Sequence, residues 1–179
     1  MLAKPIPAIH QMGYVVRDMR AALDHWTKVM HVGPFFLNAD APLLDATYLG
    51  QKTNGKLDIA SSCLGAMQIE LIAVKDREPS AFRDFLDRGY EGLQHIGYMT
   101  ERYDETYQAC LAAGMTLVQH GESVLDATTR WCYMAPNAPI GAMVEIIGLG
   151  PRKRKLFDAI AKAAAEWDGS DPVRPMPKV

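Results

Sequence analysis

The stretch Gly92-Leu93-Gln94-His95-Ile96-Gly97-Tyr98 sets a lone histidine among apolar, strand-forming residues, with a glycine two places on. Ile9-His10-Gln11-Met12-Gly13-Tyr14 has the same design near the start of the chain. At the offset that brings Gly13 onto Gly97 and Tyr14 onto Tyr98, Gln11 falls on His95. Each copy leads into a helical pattern, and each half later reaches an apolar strand with a single glutamate. The first is Ala66-Met67-Gln68-Ile69-Glu70-Leu71-Ile72 and the second Ala142-Met143-Val144-Glu145-Ile146-Ile147. Self-similarity of this kind predicts a duplicated module, each copy placing two polar groups on apolar strands.

The pattern divides the chain into an extended arm over 1–8, a first module over 9–74, a charged linker over 75–91, a second module over 92–150, and a helix with a tail over 151–179. In the first module 9–16 reads as a strand. Asp18 caps a helix in which Met19, Ala22, Leu23, Trp26 and Val29 share one face, and Gly33-Pro34 ends it. Residues 34–37 read as a short edge strand. Asn54-Gly55 predicts a hairpin between strands 46–51 and 56–64, and Gly65 a turn into the strand 67–74. Ser80 opens a short linker helix that Gly89 ends. The second module reads as strand 93–100, a helix capped by Asp104 and stopped at Gly114, then strands 116–120, 130–135 and 143–149, with a turn over 137–141. Both modules are therefore β-α-β-β-β, an α+β fold.

Leu156, Ile160, Ala164 and Trp167 recur at helical spacing, which predicts an amphipathic helix over 152–167 packed on the modules or on a partner subunit. Arg152 to Lys155 are all basic and sit where the helix dipole disfavours cations. They read as a solvated turn, the functional alternative being a patch for a phosphorylated or coenzyme A ester. The tail SDPVRPMPKV has the composition of disorder.

Composition narrows the function. The 179 residues fit one compact domain or two fused modules, and 49% hydrophobic content supports a real core. A net charge of −2 and a pI near 6.2 give no electrostatic case for nucleic acid. No apolar run approaches the roughly 20 residues of a membrane helix, and the first residues hold no apolar targeting segment. Cys63, Cys110 and Cys132 lack metal-type spacing and read as reduced thiols in a cytoplasmic protein. The expected partners are a small-molecule substrate and a second copy of the chain, because open sheet edges need cover.

Side chains alternate along a strand, so Gln11 shares a face with Gly13, and His10 points the other way. A carboxylate among apolar strand residues must be paired, solvated or bound to a cation. If the modules face each other about a pseudo-twofold, Gln11, Glu70, His95 and Glu145 converge. Two carboxylates would balance a divalent ion, and an imidazole and an amide oxygen would complete four ligands. Such donors suit six-coordination with two places left open. A bulge in the first strand would instead make His10, His95 and Glu145 a two-histidine, one-carboxylate iron site. His120 and Trp131 are candidate cavity-lining residues.

The segments HQMGYVVRDM, MQIELIAV, LQHIGYM and MVEIIG, in this order, resemble the vicinal oxygen chelate superfamily over about residues 8–149. That family includes glyoxalase I, methylmalonyl-CoA epimerase, type I extradiol dioxygenases and bleomycin-resistance proteins. The resemblance implies paired βαβββ modules in an open, barrel-like mixed sheet around a metal. It puts the ligands at Gln11, Glu70, His95 and Glu145, a set similar to that of glyoxalase I, and a catalytic base at Glu145 or Glu70. It implies a lyase or isomerase/epimerase that uses zinc, nickel, cobalt or manganese to stabilise an enolate or enediolate from a small carbonyl or thioester substrate. The alternatives are an iron-dependent ring-cleaving dioxygenase and a metal-free drug-binding protein.

Overall fold

The computed structural model describes residues 8–123, 129–138 and 141–178. Most of the arm expected over 1–8 and the centre of the turn expected over 137–141 lie outside them. Strands β1 (Gln11–Val15) and β7 (Gly92–Thr100) carry the two copies of the repeat. They pair antiparallel, Gln11 opposite Gly97 and Gly13 opposite His95. Strand β6 (Met67–Val74) runs parallel to β1, with Gln68 opposite Gln11 and Glu70 opposite Gly13. Strand β10 (Met143–Gly148) runs parallel to β7, with Met143 opposite His95 and Glu145 opposite Gly97. The two halves thus share one register about a pseudo-twofold between β1 and β7. The sequence repeat is the trace of this pairing.

Outside this centre lie β5 (Lys56–Leu64) and β2 (Phe35–Pro42) on one side, and β9 (Arg130–Ala135) and β8 (Thr116–Glu122) on the other. Two short strands, β3 (Leu44–Tyr48) and β4 (Gln51–Thr53), form a hairpin that leaves the first half and pairs with β8. The tail adds β11 (Val173–Pro175), parallel to β2. The result is one sheet of 11 strands with β11 and β4 at its open ends. Asn38 on β2 and Glu122 on β8 line the same cavity. On a flat sheet seven strand spacings would hold them about 34 Å apart, so the sheet must curl. This is the α+β architecture expected, an unclosed curved sheet with few helices.

Alternation puts Gln11, Gly13 and Val15 on the concave face and sends Met12 and Tyr14 outward. Helix α1 (Met19–Asp24), capped by Asp18, continues as a wider π segment through Val29. It covers the outer face of the first half, where Leu23, Ile69 and Leu71 are buried together and Tyr14 meets Trp26 edge-on at 5.3 Å. Between the halves runs α2 (Ala81–Asp87), capped by Ser80, whose Phe82 and Leu86 join Val15, Ile72 and Tyr133. Helix α3 (Tyr103–Ala112) covers the second half through Cys110, packed with Cys132, Met134 and Ile146. Helix α4 (Pro151–Ala165) inserts Leu156 and Ile160 against Phe36 of β2, so its apolar stripe is used within the chain.

Four local readings change. The hairpin turn is Leu49-Gly50, where both residues have positive φ as a two-residue turn of this hand demands. Asn54-Gly55 instead carries the chain from β4 at the sheet's end back to β5. The segment from Phe35 is not a short edge strand but an eight-residue strand with neighbours on both sides. The tail is ordered because β11 pairs with β2 and Trp167 packs on the bare face of Gly33. Asp104 lies inside the first turn of α3 and pairs with Arg130 at 2.7 Å; Arg102 holds the cap position. Among the described residues no helix is long and apolar enough to cross a membrane.

Candidate metal centre

Three polar side chains meet on the concave face. His95 Nε2 lies 3.5 Å from Glu70 Oε2 and 3.3 Å from Glu145 Oε2, and the three ligand atoms all fall within 4.8 Å of one another. The imidazole is fully buried. Gln11, buried on the neighbouring strand, lines the same cavity as Glu70 and Glu145. Its Nε2 donates to Gln68 Oε1 at 2.8 Å, which leaves Oε1 as the group to be satisfied. Gln11 Oε1, His95 Nε2 and Glu145 Oε2 are buried with no hydrogen-bond partner. The His95–Glu145 approach is within ion-pair range but makes no aligned hydrogen bond.

The repeated glycines explain how these groups fit. A Cβ on Gly13 would land inside the His95 ring, and a Cβ on Gly97 would lie 2.5 Å from Gln11 Oε1. Each repeat therefore spends its glycine on making room for the polar residue of the other. A second device sits beside His95. Between the Gly13–His95 and Tyr14–Leu93 pairs the register shifts, leaving Gln94 as a bulged residue. Gln94 Oε1 lies 2.8 Å from His95 Nδ1, and its Nε2 reaches Met143 Sδ at 3.5 Å. With Nδ1–H donating to Gln94, Nε2 faces the two carboxylates, where it carries the second proton of the imidazolium or, once that proton leaves, a lone pair for a cation. Tyr133 closes the ring's other side edge-on at 4.9 Å.

Electrostatics match this crowding. Burial lowers the proton affinity of His95, but Glu145 and Glu70 outweigh it and raise the imidazole to about 9. Burial raises Glu70 above the usual carboxylate range; His95 opposes this, and Glu145 adds to it. Burial also pushes the Tyr133 phenol well up, with the two carboxylates adding to the effect.

His10 is not brought to this cluster: its Nδ1 accepts from the Met99 N–H at 3.3 Å. The set His10, His95 and Glu145 is therefore not assembled. Trp131 lines the cavity, and His120 is absent from its walls. Lys153, read in sequence as part of a solvated basic turn, is buried and lines the cavity, while Arg154 is exposed and pairs with Glu101. Regular strand alternation would put Gln94 on the opposite face from His95, and only a bulge invisible in the sequence joins them.

Residues 10–133 match the profile of the Glyoxalase/Bleomycin resistance protein/Dioxygenase superfamily. The chain belongs to this superfamily. Its fold is shared with methylmalonyl-CoA epimerase from Mycobacterium tuberculosis, at TM-score 0.59 and 19% identity, over 87% of this chain and 97% of that one. It is similar to the hypothetical protein BH1468 from Bacillus halodurans, at TM-score 0.58 and 17% identity, over 78% and 92% of the two chains. A methylmalonyl-CoA epimerase in complex with methylmalonyl-CoA and NH4+ matches at TM-score 0.54 and 14% identity, over 83% and 98%. None of the curated protein sequences compared with the chain matches it. The superfamily's name spans lyases, binders and oxygenases, so membership alone does not fix the chemistry.

Proposed function

We propose that the protein is a metal-dependent isomerase, epimerase or lyase that moves a proton beside the carbonyl of a small carbonyl or thioester substrate. The observation that carries this is that Gln11 Oε1 and Glu145 Oε2, both buried without a hydrogen-bond partner, line one cavity with Glu70, while the buried His95 Nε2 lies 3.3–3.5 Å from both carboxylates. Each such atom costs about 1–3 kcal/mol when left unpaired, and a cation would satisfy all of them. The donors are two carboxylates, an imidazole and an amide oxygen, with no thiolate. That set fits zinc, nickel, cobalt or manganese held by Gln11, Glu70, His95 and Glu145. When bound, the ion supplies Lewis-acid stabilisation of negative charge developing on substrate oxygen.

The chain supplies the proton chemistry. Glu70 and Glu145 come from the two halves and flank His95, so they can take and return a proton at different sides of a bound carbon. We assign Glu145 as the base and Glu70 as its counterpart. The likeness to methylmalonyl-CoA epimerases supports the fold and keeps thioesters among the substrates to test. Incubation in D2O with a 2-substituted malonyl thioester, or with the hemithioacetal of an α-ketoaldehyde, tests the reading by NMR. The metal-loaded protein should exchange the α-proton, and Glu145→Gln should slow exchange by about 10²–10⁴-fold. Exchange that survives chelation, or none with either substrate, would count against it.

Gln94 should matter though it touches no substrate. Gln94→Leu removes the acceptor that orients His95 and should weaken metal binding by about 10–100-fold. Gln94→Glu keeps an acceptor and should recover most of the loss. Equal affinities in all three proteins, measured by competition with a chromophoric chelator, would leave Gln94 no part in metal binding.

We also propose a homodimer. The sheet ends in open edges at β11 and β4, and Leu44, Leu49 and Val173 are exposed near them. Light scattering at micromolar concentration should give twice the chain mass, and a monomer mass contradicts the proposal.

A further inference from the structure

The site opens into a cavity whose character is not that of its polar end. Beyond Gln11, Glu70 and Glu145 its walls are mainly apolar, with Leu57, Ile59 and Ile72 from the first half, Trp131 and Ile147 from the second, and Phe82 from α2; Asn38, Ser61, Glu122 and Ser123 are the polar exceptions besides Lys153. Helix α4 roofs it with Leu156, Phe157 and Ile160. That roof is fixed in place, since Leu156 and Ile160 pack with Phe36 and the segment after α4 is tied to β2 through β11. The cavity, open on one side, has a volume of about 160 Å³ including its polar end. Apolar cavities of about 150 Å³ lined by Leu, Ile and Phe accept one benzene molecule. The nearest charge from the roof, Lys153, acts on Glu70 and so belongs to the polar end.

We infer that the substrate carries an uncharged apolar body of at most about six carbons, a phenyl or short branched alkyl group, and that Phe157 on α4 sets its limit. This rests on the proposed reading for the polar end alone, where the carbonyl head binds; the body's class follows from the walls. A coenzyme A nucleotide does not fit in about 160 Å³, so in a thioester substrate only the acyl part would enter and the rest would leave through the open side. Phe157 is chosen because it is half-buried, whereas Leu156 and Ile160 also hold the helix to the sheet.

Two ligand series separate the claims, read by calorimetry and by the fluorescence of cavity-lining Trp131. Straight-chain 1-alkanols and benzyl alcohol need no metal. Their affinity should rise about fourfold per methylene and stop rising near six carbons, with benzyl alcohol close to the maximum. Phe157→Ala should move the limit to longer chains, and Phe157→Trp to shorter ones. Affinity independent of chain length, a limit far from six carbons, or a limit unmoved in both variants overturns the inference. The matching hydroxamates present two adjacent oxygens. In zinc- or cobalt-loaded protein they should bind at least tenfold tighter than alcohols of equal length. Hydroxamates no tighter than alcohols would sink the metal reading while leaving the apolar-body inference standing.

Discussion

His95→Ala and Glu145→Gln should each weaken metal binding more than about 100-fold and slow turnover by at least as much. The bound derives from outer groups, whose loss alone costs 10–100-fold; here a ligand itself is removed. For Glu145→Gln the charge that balances the cation goes too. The polar atoms left behind have no alternative partner, because Gln11 Oε1 and Glu145 Oε2 are already orphaned in the buried site. Glu70→Gln should be milder, since its side chain is 15% exposed, against 9% for Glu145, and solvent can offset more of the lost charge. Metal content after dialysis checks all three. Full occupancy in His95→Ala would mean that the imidazole is a core group and not a ligand.

The second large effect comes from a single methyl group. Gly13→Ala drives a Cβ into the His95 ring. The ring cannot swing aside, because Gln94 holds Nδ1, Tyr133 packs on one side and the carboxylates stand at Nε2. Overpacking of this kind costs about 1–3 kcal/mol, a fall in Tm of roughly 2–12 °C for a chain of this size. Metal affinity should fall with it. Gly97→Ala crowds Gln11 and should cost less, because a glutamine side chain has more rotamers than a wedged imidazole. Calorimetric melting of the two variants tests the ranking; an unchanged Tm in Gly13→Ala would contradict it.

Much of this architecture is legible in the sequence. The offset joining Gly13 to Gly97 shows the duplication, and strand alternation puts Gln11 inward and His10 elsewhere, as the pairing of β1 with β6 and β7 has it. The glutamates stand out because an apolar strand has little other use for a carboxylate. What is not legible depends on events between distant segments. Asn54-Gly55 has strong turn chemistry, yet β3 and β4 leave their own half to cover β8, and Leu49-Gly50 makes the turn. Local propensity cannot show that exchange. Gln94 is hidden by a one-residue bulge. Lys153 looks like one of four solvated cations until α4 is laid over the cavity. The tail reads as disorder because its pairing partner, β2, lies far away in sequence.

We propose above all that Gln11, Glu70, His95 and Glu145 together hold one divalent cation. Elemental analysis after equilibrium dialysis in one buffer tests it on the parent protein and on Gln11→Ala and His10→Ala. The expected result is one zinc, nickel, cobalt or manganese ion per parent chain, a marked loss in Gln11→Ala and near-parent content in His10→Ala. Loss in His10→Ala with retention in Gln11→Ala would contradict the claim and favour the iron triad of His10, His95 and Glu145.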